Sequence, residues 1–109
     1  MKVVVSAAAE HDADAENAWW RENRPDAPDR FGEEVTAALA RLAIDAATMP
    51  VFRRVGSMVV RRLYLPVTRR HVYFVVDEGR VTVLAVWGSV RRVLPALRRR
   101  AGAVRTSDS

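Results

Sequence analysis

VVRRLYLPVTRRHVYFVVDEGRVTVLAVW, residues 59–87, holds most of the strand-forming side chains of this chain and many of its arginines. Within it, Val72–Val76 reads VYFVV and Val81–Trp87 reads VTVLAVW. Short runs rich in β-branched and aromatic residues, separated by turn chemistry, are strands covered on at least one face. Ahead of them Val59–Leu65 alternates, with Val60, Arg62 and Tyr64 on one face and Arg61, Leu63 and Leu65 on the other. Pro66-Val67-Thr68 turns the chain, and a strand is predicted over 70–77. Asp77-Glu78-Gly79-Arg80 then reads as a hairpin turn with Gly79 at the left-handed position. The 70–77 strand is apolar on both faces and is expected at the centre of the sheet.

Working outward towards the N-terminus, Lys2–Val5 reads as a first strand. Ser6 is placed to cap a helix whose first turns carry Glu10, Asp12, Asp14 and Glu16, where the helix dipole favours acids. Ala8, His11, Ala15, Ala18 and Trp19 share one side at helical spacing and define the expected apolar stripe, with His11 as a structural member. Trp19 and Trp20 point about 100° apart, so one joins the core and the other lies at its edge. Asn23-Arg24-Pro25-Asp26 breaks this helix, and Asp26 with Pro28 is expected to start a second. There Phe31, Val35, Ala38, Leu39, Leu42 and Ala46 repeat at three- and four-residue spacing until Met49-Pro50 ends the run. Two helices joined by about four residues should form an antiparallel hairpin across one sheet face. Residues 51–58, VFRRVGSM, read as a loop because of Gly56 and Ser57. Beyond Gly88 the segment SVRRVLPALRRRAGAV suggests a basic helix begun at Pro95, and TSDS a frayed end.

With 109 residues, half of them hydrophobic and 28% charged, the chain is a single globular domain. That domain is expected over 1–101, with 102–109 as a disordered tail. The absence of cysteine excludes disulfides and thiolate metal sites, and His11 and His71 are too isolated to suggest a zinc site, so no metal or cofactor is expected. No apolar run approaches the roughly 20 residues of a membrane span, and the N-terminus lacks the pattern of a signal peptide, so the expected location is cytoplasmic. The net charge of +5 conceals a division. Residues 1–50 carry five Lys/Arg against ten Asp/Glu, and residues 51–109 carry thirteen Arg against three acids. Such a separation suggests a directional field able to steer an anionic partner.

The order β-α-α-β-β-β, near this length and with a basic C-terminal segment, resembles the RelE/ParE superfamily of type II toxin–antitoxin toxins. RRLYLPVTRRHVYFVVDEGRVTVLAVWG (61–88) is similar to the sheet of its ParE-like plasmid-stabilisation branch, and AENAWWRENRPDAPDRFGEEV (15–35) to its helical hairpin. The resemblance implies an α+β fold with a small antiparallel sheet packed by an α-helical hairpin. It also implies a growth-inhibiting bacterial toxin, neutralised by a cognate antitoxin and forming a homodimer or a toxin–antitoxin hetero-oligomer. ParE-like members are regarded as poisons of DNA gyrase. RelE-like members cleave mRNA on the ribosome without metal, through basic, hydroxyl and imidazole groups that orient the 2′-hydroxyl and stabilise charge.

On that comparison Arg70 matches the sheet arginine of RelE and Arg91 the arginine after its last strand. Arg62 stands where RelE has a lysine, and Tyr64 occupies the second lysine position. The C-terminal tyrosine of RelE has no counterpart in RRVLPALRRR (91–100). Arginine stays charged and is a poor proton carrier, so His71 is the leading acid–base candidate, with Tyr64 or Tyr73 behind it. A ribonuclease would therefore draw on Arg62, Arg70, His71 and Arg91. For target or antitoxin binding the candidates are Arg61, Arg62, Arg69, Arg70, Arg91 and Arg92. The missing proton-handling groups favour a toxin that acts by binding gyrase, with ribosome-dependent mRNA cleavage as the alternative. A base-stacking nucleic-acid module is disfavoured because VYFVV is better explained as core.

Overall fold

The computed structural model of the chain describes residues 1–88 and 97–102. The order is β1 (Lys2–Val5), α1 (Ala7–Asn23), α2 (Arg30–Asp45), a 3₁₀ turn (Ala46–Thr48), β2 (Val51–Val55), β3 (Met58–Leu65), β4 (Arg70–Asp77) and β5 (Arg80–Trp87). Residues 97–102 are again helical. The five strands form one sheet in the order β1-β5-β4-β3-β2. The protein is thus a small α+β domain, and β4 is central as its two-sided apolar character requires.

The expected sheet of four antiparallel strands is corrected in two respects. Residues 51–58 are no loop, because Val51–Val55 pairs antiparallel with β3 and Gly56-Ser57 is the hairpin turn, Gly56 taking φ +62°. The short Val-Phe-Arg-Arg-Val run had lost its strand signal to the two turn residues behind it. The sheet is also mixed, since β1 lies parallel to β5 with Lys2 opposite Arg80 and Val5 opposite Val83. A first strand joined to the last by two helices and three intervening strands can take either direction, and sequence pattern carries no information on which. The β4–β5 turn follows its sequence closely: Gly79 sits at φ +73° and Glu78 at φ +50°, the paired positive φ of a tight hairpin.

α1 contains the largest difference from expectation. The Ser6 hydroxyl does cap it, accepting from the Ala9 amide at 3.1 Å. The inward stripe, however, is Ala9, Asp12, Ala13, Glu16 and Trp20, while His11, Ala15, Ala18 and Trp19 are exposed. Alanines occur on both sides of this helix, so hydrophobicity alone could not fix its rotation. What fixes it is the large Trp20, only 8% exposed against 46% for Trp19, and two carboxylates that meet arginines. α2 begins at Arg30, later than Asp26-Pro28 suggested, after six residues of turn. Its stripe is as read, with Phe31, Ala38, Leu42 and Ala46 buried and Val35 and Leu39 packed beside them.

Two cores sandwich the sheet. Under the helices Trp20, Phe31, Leu42 and Met49 pack on Leu65, Val72, Phe74, Val81, Val83 and Val86. On the opposite face Val60, Tyr73, Val75, Leu84 and Ala85 are covered by Leu97 and Ala101 of the helical segment 97–102. A β-bulge between Tyr73 and Phe74 on β4 and Ala85 and Val83 on β5 leaves Leu84 unpaired with β4 and turns both Leu84 and Ala85 to this second core.

Three carboxylates connect the layers. β1 is only four residues long, and its last neighbour, the Ser6 amide, donates to the Val83 carbonyl at 3.1 Å, so the edge of β5 beyond Val83 has no strand beside it. Asp12 and Arg100 close that edge. The Val86 amide donates to Asp12 Oδ2 at 3.3 Å, and Arg100 donates to the Leu84 carbonyl at 2.9 Å and to Asp12 Oδ2 at 2.7 Å. Glu16 pairs with Arg70. Glu34 of α2 accepts from the Val67 amide (2.8 Å), the Thr68 amide (3.0 Å) and the Thr68 hydroxyl (2.6 Å), which accounts for the burial of Thr68.

With Asp12 10% exposed and Arg100 25%, Asp12→Ala strands a guanidinium and a strand amide together and should cost about 2–3 kcal/mol in urea unfolding. Glu33→Ala, on the exposed side of α2, should stay within about 0.5 kcal/mol of the parent protein.

Candidate functional site

Alternation along β3 and β4 distributes the sequence candidates over different surfaces. Arg62, Tyr64 and His71 lie on the face opposite the helical hairpin. Tyr64 pairs with His71 across β3–β4, and His71 pairs with Trp87 across β4–β5, so the three rings form one row over the sheet. The next row runs from Arg62 to Tyr73 to Ala85. Ring centroids are 5.0 Å apart for Tyr64 and His71, 5.9 Å for His71 and Tyr73, and 5.7 Å for Tyr73 and Trp87. Phe52 of β2 meets Tyr73 edge-on, and the Arg62 guanidinium stacks 4.6 Å over Phe52. Arg100 caps Trp87 in the same manner at 4.6 Å. The result is an aromatic floor with Tyr64 exposed, His71 half-buried and Arg62 beside it.

Burial in this aromatic setting, and secondarily the positive charge of Arg62, lowers the His71 pKa below its ordinary 6.5. His71 is therefore neutral near pH 7 and able to accept a proton, with Tyr64 as the adjacent hydroxyl. Tyr73 is fully buried, and its hydroxyl has no hydrogen-bond partner among the described residues.

Arg70, one register position before His71, faces the other way. Its guanidinium is bonded to Glu16, donates to the Thr68 carbonyl at 2.7 Å, and lies 5.3 Å over the Trp19 ring. Gly88 completes this setting: a Cβ there would come within 2.9 Å of Arg70 Cδ, so only glycine lets the arginine cross the end of β5 undisturbed. Arg61 is on the helical side too, donating to the Met49 carbonyl at 2.7 Å and so holding the end of the 3₁₀ turn against β3. Arg69 is exposed, in the β3–β4 turn, at φ +59°. Arg91 and Arg92 lie outside the described residues, as does the expected start of the basic helix at Pro95; of the tail expected over 102–109, Gly102 is helical and the rest lies outside the described residues. Of the ribonuclease candidates, the structure brings Arg62 and His71 together and puts Arg70 across the sheet from them. Of the binding candidates, Arg61, Arg62 and Arg70 belong to three separate settings.

Between the tip of the helical hairpin and the β3–β4 turn is a cavity of about 450 Å³, lined by Trp19, Trp20, Arg24, Arg30, Arg69 and Arg70 among others. Sequence reading missed Arg24, Arg30 and the structural acids Asp12, Glu16 and Glu34. For the acids a signal existed, since Asp12 and Glu16 are spaced i, i+4 and fall in phase with Ala9 and Trp20. Among the described residues no three His, Cys, Asp or Glu side chains converge as a metal site, and no helix is long and apolar enough to cross a membrane. No protein-family model matches the chain, and a search of curated proteins finds no significant relative.

A histidine whose folded pKa is lowered resists protonation in the native state, while the unfolded chain takes up the proton at its ordinary 6.5. Stability should then decline as pH falls through 6.5, with no His71 contribution well above it. Urea titrations should show His71→Gln losing less stability over the same fall in pH than the parent protein. For Tyr73→Phe, which removes a buried hydroxyl without a partner among the described residues, the thermal midpoint should be equal to the parent's or higher.

Proposed function

We propose that this chain is a RelE/ParE-type toxin of the ParE-like branch, acting by binding its target, DNA gyrase, and held inactive by a cognate antitoxin. The α+β architecture supports the reading, with one helical hairpin on a sheet whose other face carries aromatic and basic side chains. The observation that favours binding over nucleolysis is the separation of Arg70 from His71 by the thickness of the sheet. Arg70 is also committed to Glu16 and the Thr68 carbonyl, so it is not available to stabilise charge developing beside His71. Without it, the described residues of the face around His71 offer the Arg62 guanidinium, the imidazole and the exposed Tyr64 phenol over an aromatic floor, with Arg100 over Trp87 at its edge. Such a surface suits a partner segment that buries apolar side chains among Tyr64, Phe52 and Trp87 and places acids against Arg62.

The runner-up, a ribosome-dependent mRNA endonuclease, draws its support from the same row. A neutral His71 next to Tyr64, with Arg62 close enough to depress its pKa, supplies a base, a hydroxyl and a cation of the kinds that attack by a 2′-hydroxyl needs.

Expression without the adjacent gene's product, followed for DNA breaks and transcript integrity, separates the two. The gyrase reading expects growth arrest and double-strand breaks with mRNA left intact. Transcript cleavage on ribosomes that disappears in His71→Ala would establish the endonuclease instead. Absence of any growth effect would set both aside.

A further inference from the structure

The cavity between the helical hairpin and the β3–β4 turn is outside the surface just proposed to meet a target. Its walls come from three places in the chain. Trp19, Trp20 and Arg24 close the end of α1, Arg30 opens α2, and Arg69 and Arg70 end the turn after β3. Two of the guanidinia are preorganised on indole rings, Arg24 at 5.8 Å from Trp20 and Arg70 at 5.3 Å from Trp19. Trp20 is itself anchored, its indole N–H donating to the Ala27 carbonyl at 2.9 Å. Arg30 and Arg69 are exposed, and neither is in an ion pair among the described residues.

Arg69 is the more telling of these two. It is held at φ +59°, a region that glycine or asparagine would occupy with less strain. A cation at such a position, aimed into a cavity with other cations, is a feature maintained against local backbone preference. Mutual repulsion of the arginines is offset in part by Asp26 in the wall and by Glu16 behind Arg70. Counting those two acids and Glu34, whose carboxylate bonds Val67 and Thr68 of the lining, against the four arginines leaves a charge of +1.

Four guanidinia around one cavity favour an anionic ligand. Guanidinium forks bind phosphate oxygens in bidentate fashion. The volume of about 450 Å³ exceeds what a lone oxyanion needs and falls in the range of organic-ligand sites. The half-exposed ring of Trp19 and the side chains of Ala27 and Val67 offer an apolar wall for whatever carries the phosphate. We infer that this cavity binds a terminal phosphate monoester carried on a planar ring system, the chemistry shared by a nucleoside monophosphate and the 5′-phosphorylated end of a polynucleotide. Arg30 and Arg69 close on the phosphate, Arg24 orients it, and Trp19 packs against the ring.

The test uses the full chain and its own fluorescence, since Trp19 and Trp20 line the cavity while Trp87 is on the opposite face of the sheet. Titration with AMP should quench the signal and saturate below about 1 mM, and adenosine should bind at least about tenfold more weakly. Affinity should fall as pH drops below about 6, where the phosphate becomes a monoanion. Arg69→Gly removes the charge while relieving the positive φ, so it should weaken AMP at least about tenfold without lowering the thermal midpoint. Arg30→Gln should weaken it similarly, and Arg53→Gln on the exposed part of β2 should leave it unchanged. A 5′-phosphorylated oligonucleotide binding more tightly than AMP identifies a polynucleotide end as the ligand, and equal or weaker binding identifies the mononucleotide. Failure of both ligands to saturate, adenosine binding as well as AMP, or equal losses in Arg53→Gln and Arg69→Gly would each overturn the site. None of these readouts depends on toxicity or on gyrase.

Discussion

Carboxylates on the inner faces of the two helices hold this fold together across its layers. Asp12 joins α1 to the bulged edge of β5 and to Arg100, Glu16 joins α1 to Arg70, and Glu34 ties α2 to the β3–β4 turn. Each accepts from groups that would otherwise be left without partners in a partly dry environment. For Asp12 that role follows from the shortness of β1, which pairs with β5 only as far as Val83. A longer first strand would have covered the amide of Val86 and the carbonyl of Leu84. The protein uses a helix carboxylate and a distant arginine in its place, so that the edge is closed by side chains and not by another strand.

The charge division of the sequence takes on a different meaning in this light. An acidic first half and a basic second half looked like a field directed at an outside partner. Part of that field is spent inside the molecule, where Arg70 and Arg100 neutralise Glu16 and Asp12. Arg61 is likewise occupied, by a backbone carbonyl. At the two sites described, the arginines left for partners are sorted by location: Arg62 on the aromatic face, and Arg24, Arg30 and Arg69 around the cavity at the hairpin tip. One basic surface becomes two smaller ones of different character. The first is an apolar floor edged with charge, suited to a folded partner. The second is a concave cluster, suited to a compact anion.

The two surfaces also differ in how they are held. On the sheet face, residues are set by strand register: Tyr64, His71 and Trp87 form a row because three neighbouring strands pair through those positions. Register is stiff, so that row is a preformed platform. The cavity instead depends on where a helix ends, where a turn takes a left-handed residue, and on a salt bridge that ties the two together. Its geometry is therefore coupled to the Glu16–Arg70 contact in a way that the sheet face is not.

Sequence alone determined the elements whose residues are unambiguous in size and pattern. The β4–β5 hairpin, the stripe of α2 and the central place of β4 follow from long apolar side chains at strand or helix periods, and Gly79 marks its turn through backbone freedom. The aromatic company of His71 was legible too, because alternation puts Tyr73 and His71 on one side. Tertiary structure decided the rest. An alanine-rich α1 has no strong apolar side, so its rotation waited on Trp20 and on arginines 54 and 88 residues away from their acids. The parallel direction of β1, the strand at Val51–Val55 and the choice of which face of β4 meets the helices all depend on long-range pairing, whereas strand alternation already puts Arg70 and His71 on opposite faces. Local sequence does not record such pairing, because a backbone hydrogen bond or an ion pair is specified by two residues together and by neither of them separately.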